Sequence, residues 1–254
     1  LCLFAACKNK TTFEQLSGDD TGIHFSNTIA ENDTLNILKY EYLYNGSGVG
    51  MGDFNQDGLL DLFFSGSQAN GTLYLNKGQM KFEDISKSAG IDTKNRWCSG
   101  VSVVDINGDG LLDIYVSATM KMSIHDRENM LFVNQGVKNG IPSFKEMGAE
   151  YGVNDAGHSE HTAFFDYDRD GDLDMYVLTD VIDQFPSLYR AKVKDGSYPN
   201  TDRLYRNDWS EEKGHPVYTN VSKEAGITIE GYGLGINICD INQDNWPDIY
   251  ITND

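Results

Sequence analysis

Three observations in the amino-acid sequence predict an all-β fold, a β-propeller assembled from four-stranded blades. An aspartate-rich nonapeptide occurs four times, strand-forming residues flank each copy, and two further short strand patterns follow each of the first three copies. The copies run from Asp53 to Asp61, Asp105 to Asp113, Asp166 to Asp174 and Asp240 to Asp248, with periods of 52, 61 and 74 residues. A period of that size carrying four short strands is the content of one propeller blade.

The strands can be taken in order. Val101 to Val104 and Ile236 to Ile238 show most clearly the apolar run that enters a loop. Leu62-Phe63-Phe64, Ile114-Tyr115-Val116, Met175-Tyr176-Val177 and Ile249-Tyr250-Ile251 leave the loops, and their β-branched and aromatic residues suit a pleated, packed surface. A third strand recurs as Leu73-Tyr74-Leu75-Asn76, Leu131-Phe132-Val133-Asn134 and Leu204-Tyr205-Arg206-Asn207. A fourth recurs from Phe82, Phe144 and Tyr218, followed by an Ala-Gly-Ile-like turn. The stretch from Phe13 to Ser17, followed by Gly22, repeats the fourth pattern without the first three, whereas the last repeat supplies only a first strand, a loop and a second strand. The expected division is a signal remnant and linker at 1–12, a fourth strand and linker at 13–45, blades at 46–95, 96–156 and 157–230, and a partial blade at 231–254. That makes an incomplete portion of a larger ring, with compact four-bladed closure as the alternative.

With 39% apolar residues the chain can bury a core. A formal charge of -19, from 39 acids against 20 bases, argues against nucleic-acid phosphates and anionic lipid as partners and favours cations. No apolar run of about 20 residues spans a bilayer. The first residues, Leu1 to Cys7, look like the end of a bacterial lipoprotein signal with Cys7 as the lipidated residue. They predict an extracytoplasmic protein, outer-membrane or periplasmic, that meets the membrane only through that anchor. Cys98 and Cys239 fall at non-equivalent places in their repeats, as expected of buried free thiols, with one long-range bridge as the alternative.

Calcium takes 6 to 8 oxygen ligands, which a short loop supplies when alternate side chains converge around a sharp turn. Positions 1, 3, 5 and 9 offer side-chain oxygens from Asp53, Asn55, Asp57 and Asp61, then Asp105, Asn107, Asp109 and Asp113, then Asp166, Asp168, Asp170 and Asp174, and finally Asp240, Asn242, Asp244 and Asp248. Position 7 offers a backbone carbonyl from Leu59, Leu111, Asp172 or Trp246. Position 6 is Gly58, Gly110, Gly171 or Asn245, the residues that best tolerate a left-handed backbone. An EF-hand is excluded because position 12 is apolar in all four copies, Phe64, Val116, Val177 and Ile251. A metal-free Asx turn accounts for the early positions but does not itself call for aspartate at position 9. The prediction is up to four structural calcium ions.

These segments, with the recurring Leu-Tyr-x-Asn and Ala-Gly-Ile patterns, resemble FG-GAP or VCBS repeats, most of all the cartilage-acidic-protein and UnbV-like branch, whose repeats are similar to those of integrin α-subunit propellers. The resemblance implies a propeller, often seven-bladed, with calcium in the first hairpin of each blade. It also implies a secreted or surface-attached protein involved in adhesion or ligand binding; the function expected here is a non-catalytic binding module, and its long loops with aromatic and basic residues suit a protein or glycan.

Ligand contacts are expected on the face opposite the loops, where the second-to-third connections and the blade links emerge. Arg96 and Trp97, then His158, Glu160 and His161, then Tyr232 lie there, as do Tyr189 and Arg190 within a long insertion from about Asp180 to Asp202. The alternative function is a polysaccharide-active lyase or hydrolase using the His158, Glu160 and His161 group. Spacing argues against it, because His158 and His161 point to opposite faces of an extended strand and the other repeats carry Gly48, Gly100 and Gly235 in place of His161.

Overall fold

A computed structural model describes residues 12–94, 96–121, 123–180 and 191–254. Cys7, Tyr189 and Arg190 lie outside them. Three four-stranded antiparallel sheets follow one another along the chain, each a simple meander. The first contains β1 (Val49–Gly52), β2 (Asp61–Phe64), β3 (Thr72–Asn76) and β4 (Phe82–Asp84). The second contains β5 (Trp97–Val104), β6 (Asp113–Thr119), β7 (Met130–Lys138) and β8 (Ile141–Glu146). The third contains β9 (Ser159–Phe165), β10 (Asp174–Thr179), β11 (Arg203–Ser210) and β12 (His215–Asn220). A two-stranded sheet of β13 (Gly233–Cys239) and β14 (Asp248–Asn253) ends the series. This is propeller architecture, with the repeats as blades.

The first strands of successive blades approach closely. Ser99 and Ser102 on β5 donate their hydroxyls to the Ser159 and Thr162 carbonyls of β9 at 2.6 and 2.5 Å. A Cβ on Gly50 would stand 2.7 Å from a Val101 methyl, so the glycine admits the neighbouring strand. Between the sheets lie separate apolar layers. Ile114 and Val116 of β6 pack with Phe63 and Leu73 of the first blade, whereas Tyr115 faces Met175 and Val177 of the third. Because β6 and β10 are covered on both faces, every residue in them is buried.

After β4 and β8 the chain makes one helical turn, α2 (Ser86–Ala89) and α3 (Gly148–Tyr151), each closed by a left-handed glycine, Gly90 or Gly152. A Cβ on these would stand 2.8 Å from Phe144 O and 2.9 Å from Tyr218 O of the next blade's outer strand. The same turn, α1 (Gly18–Thr21) closed by Gly22, packs against the outer strand of the first blade. Phe13 to Ser17, read from sequence as a fourth strand, pairs with no strand among the described residues, and Phe13 is exposed. The helical turn is local chemistry, but a strand needs a neighbour to bond to.

The chain from Asn27 to Tyr44 covers the end of the molecule opposite the Asp loops. Asn27 bonds Ser67 and Gln68 bonds Ala30, while Tyr40 and Leu43 pack on Trp97 and Met120. Tyr42 donates its hydroxyl to Asp254 at 2.9 Å. Cys98 is buried and Cys239 exposed, and both are free thiols, so the exposed Cys239 departs from the expectation of burial. No helix among the described residues is long and apolar enough to cross a membrane.

Candidate metal centre

Each Asp loop joins the first and second strands of its blade, and all four share one hydrogen-bond scheme. The position-1 carboxylate accepts the N–H of positions 5 and 6, for example Asp53 from Asp57 and Gly58 at 3.0 and 2.8 Å, and Asp166 from Asp170 and Gly171, both at 3.1 Å. Position 5 accepts the N–H of position 7, as Asp109 does from Leu111 at 2.8 Å. The left-handed backbone expected at position 6 is present in Gly58, Gly110, Gly171 and Asn245. A second left-handed residue stands at position 4, namely Gln56, Gly108, Arg169 and Gln243. Sequence reading missed that one, because three of the four residues there are not the glycine, asparagine or aspartate that usually announce it.

Position 9 has a role that spacing did not reveal. Asp113 is fully buried and accepts two backbone N–H groups, Ile106 at 3.0 Å inside the loop and Asn134 at 2.7 Å from the third strand. Asp61 accepts Phe54 and Asn76 N–H in the same way, and Asp174 accepts Tyr167 and Asn207 N–H. In the last repeat Asp248 accepts, among the described residues, only the Ile241 N–H at 2.8 Å. The aspartate that turn chemistry left unexplained thus clips the loop to the third strand. An asparagine of the third strand adds a second clip, since Asn76 and Asn207 donate their side-chain amides to the Leu60 and Leu173 carbonyls.

Position 3 separates the loops. Asn55, Asn107 and Asn242 donate their side-chain amides to the position-5 carboxylates at 3.0, 2.9 and 2.9 Å, easing the crowding of acids. Asp168 carries a carboxyl group in place of that amide. Its Oδ1 is buried with no hydrogen-bond partner among the described residues, as is Oδ1 of Asp172. Ligand oxygens of Asp166, Asp168 and Asp174 lie within 4.8 Å of one another, so this loop can hold a metal ion. Burial first, and then the charges of Asp170, Asp174 and Asp168, push Asp172 up to about 7. Burial likewise lifts Asp174 to about 6 against the pull of its two N–H donors, with Asp168 and Asp170 adding to the rise. Crowded, partnerless oxygens of this kind fit a hard divalent cation, which would relieve both the desolvation and the repulsion.

The residues expected on the opposite face are placed differently. Trp97 is buried beneath the N-terminal segment, and Arg96 is spent on Glu128, through an ion pair of 3.6 Å and a bond to its carbonyl. Neither presents a surface to a ligand. Sequence reading missed this because Tyr40, Leu43 and Met120, which bury Trp97, are remote in the chain. His161 is exposed and its ring lies against Gly100, whose absent side chain makes room for it. Tyr232 is half-buried, its N–H donated to Asn253. Burial pushes His158 down to about 4, and burial followed by the Asp180 charge pushes Glu160 up to about 8. No hydrogen bond or ion pair among the described residues joins His158, Glu160 and His161.

Four-stranded blades with an Asp-rich hairpin in each define a β-propeller repeat protein, and residues 53–116 match the family described as FG-GAP-like repeat. The sequence is similar to cartilage acidic protein 1 of Xenopus tropicalis, 26% identical over 196 residues that cover 76% of this chain and 28% of that protein. It is also similar to human cartilage acidic protein 1, 23% identical over 215 residues covering 82% of this chain and 28% of that one. The chain therefore spans a little over a quarter of the length of the curated relatives it matches.

Proposed function

We propose that the chain is a non-catalytic, extracellular propeller module whose Asp loops bind calcium, up to four ions, with the third loop filling first. The observation that carries the reading is the convergence of Asp166, Asp168 and Asp174 beside buried oxygens that have no partner. Calcium would bind this folded arrangement better than the open chain, so it stabilises the fold by mass action, about 2.7 kcal/mol at a concentration a hundredfold above the dissociation constant. The FG-GAP-like match and the likeness to cartilage acidic protein 1 support an extracellular setting and a binding role, and the partner would be a protein or a glycan and not nucleic acid. Thermal unfolding with calcium and with a chelator tests the metal, and an unchanged midpoint would sink it. Lipid attachment at Cys7, as in a bacterial outer-membrane or periplasmic lipoprotein, belongs to the same reading. Labelled palmitate that still enters a Cys7→Ser variant would remove that part.

A further inference from the structure

Neighbouring Asp loops are bridged by the residue at position 4. Gln56 donates its side-chain amide to the Gly110 carbonyl of the second loop at 2.9 Å. The Arg169 guanidinium sits 5.2 Å from the centre of the Trp246 ring in the fourth loop. Position 4 of the second loop is Gly108, left-handed at φ +71° and with open space where a Cβ would be. No side chain spans the gap there, and a cavity of about 190 Å³ separates the second loop from the third.

Its polar side chains bring carboxylate and amide oxygens to the cavity. Asp105 and Asn107 come from the second loop and Asp172 from the third, with Asn207 of β11 between them. Asn207 is only 4% exposed, yet its Oδ1 has no hydrogen-bond partner among the described residues. Its counterparts are satisfied, since Asn76 and Asn134 accept the N–H of Gly78 and Gly136 at 2.9 and 3.0 Å, where β3 ends and where the register of β7 against β8 is broken. Around Asn207 β11 pairs with β12 in unbroken register from Asn207 to Ser210, so that local donor is lost. Trp209, half-exposed, and Pro216 form an apolar wall, and no lining residue is basic.

A ligand for this cavity must bring several N–H donors, positive charge and a surface that lies on an indole. We infer that the gap between the second and third Asp loops is a binding pocket for a basic side chain, an arginine or lysine, of a protein partner. The inference rests on the reading of the chain as a binding module and names the group it would take. It also moves recognition to the loop face, the end that the N-terminal segment leaves open.

The calcium-loaded protein is titrated with acetyl-Gly-Arg-Gly-amide while the Trp209 indole N–H resonance is followed, with the citrulline peptide as a neutral, nearly isosteric control. Saturable movement is expected with arginine, and affinity at least about tenfold weaker with citrulline. Gly108→Gln should close the gap as Gln56 does one blade earlier, and the left-handed glutamines at positions 56 and 243 show that the backbone accepts it. Binding should be lost in Gly108→Gln and in Trp209→Ala and kept in Gln56→Ala. Equal binding of the two peptides, no saturation by either, saturation by a methyl glycoside instead, or undiminished binding in Gly108→Gln would overturn the proposal. Calcium affinity of the same samples, measured by calorimetry, keeps the two readings apart. Arginine binding can fail with calcium binding intact, and the reverse outcome removes the metal alone.

Discussion

The second and third Asp loops share a backbone path and differ in the group at their third position, an amide in Asn107 and a carboxylate in Asp168. In the second loop the Asn107 amide donates to Asp109, and the turn satisfies itself. In the third, Asp168 faces other acids with nothing to donate, and buried oxygens are left over. One nitrogen exchanged for one oxygen separates a hairpin whose acids share a donated amide from one whose acids have none. The repeat sequence alone makes the four copies look equivalent, and their hydrogen bonds do not.

The comparison can be broken or sharpened in order of expected effect. The position-9 clip is common to both loops and should matter most. Asp113→Ala strands two buried N–H groups, Ile106 and Asn134, and should lower unfolding free energy by about 3 to 5 kcal/mol. Asp248→Ala, which releases only Ile241 N–H, should cost about 1 kcal/mol in the same denaturant titration. Next, Asp168→Asn should give the third loop the amide of the second, so that most of the calcium-dependent rise in stability, about 2 to 3 kcal/mol, disappears from thermal melts. The reverse change, Asn107→Asp, should lower stability by about 1 to 2 kcal/mol in chelator and make the second loop calcium-responsive.

The smallest effect lies outside the loops. Glu160 titrates near 8 in the folded protein and near 4.5 when unfolded, so between those values the folded state holds a proton that the open chain has released. Stability should therefore fall as pH rises through that window, by about 1 kcal/mol between pH 6 and 8 after allowing for partial exposure, and Glu160→Gln should flatten the slope. Melts run in saturating calcium keep the loop acids from contributing to the same curve.

Much of this was legible in the sequence because the repeat carries its own evidence. The residues at positions 1, 5 and 6 of each loop are fixed by turn geometry, and strands beside them follow from β-branched and aromatic runs. What escaped were partners distant along the chain. The spacing that marks Asp61 as a metal ligand was visible, whereas its second role, accepting the Asn76 N–H, depends on another strand. Trp97 looked like a recognition residue because the segment that covers it lies more than fifty residues away. Phe13 to Ser17 looked like a strand because its composition fits one, but among the described residues no strand pairs with it.

Calorimetric titration of calcium into the wild type, Asp168→Asn and Asn107→Ala puts the difference between the two loops to the most direct test. The tightest binding phase of the wild type should be missing in Asp168→Asn and intact in Asn107→Ala. A tightest phase that survives Asp168→Asn unchanged, or that vanishes with Asn107, would contradict the assignment of the leading ion to the third loop.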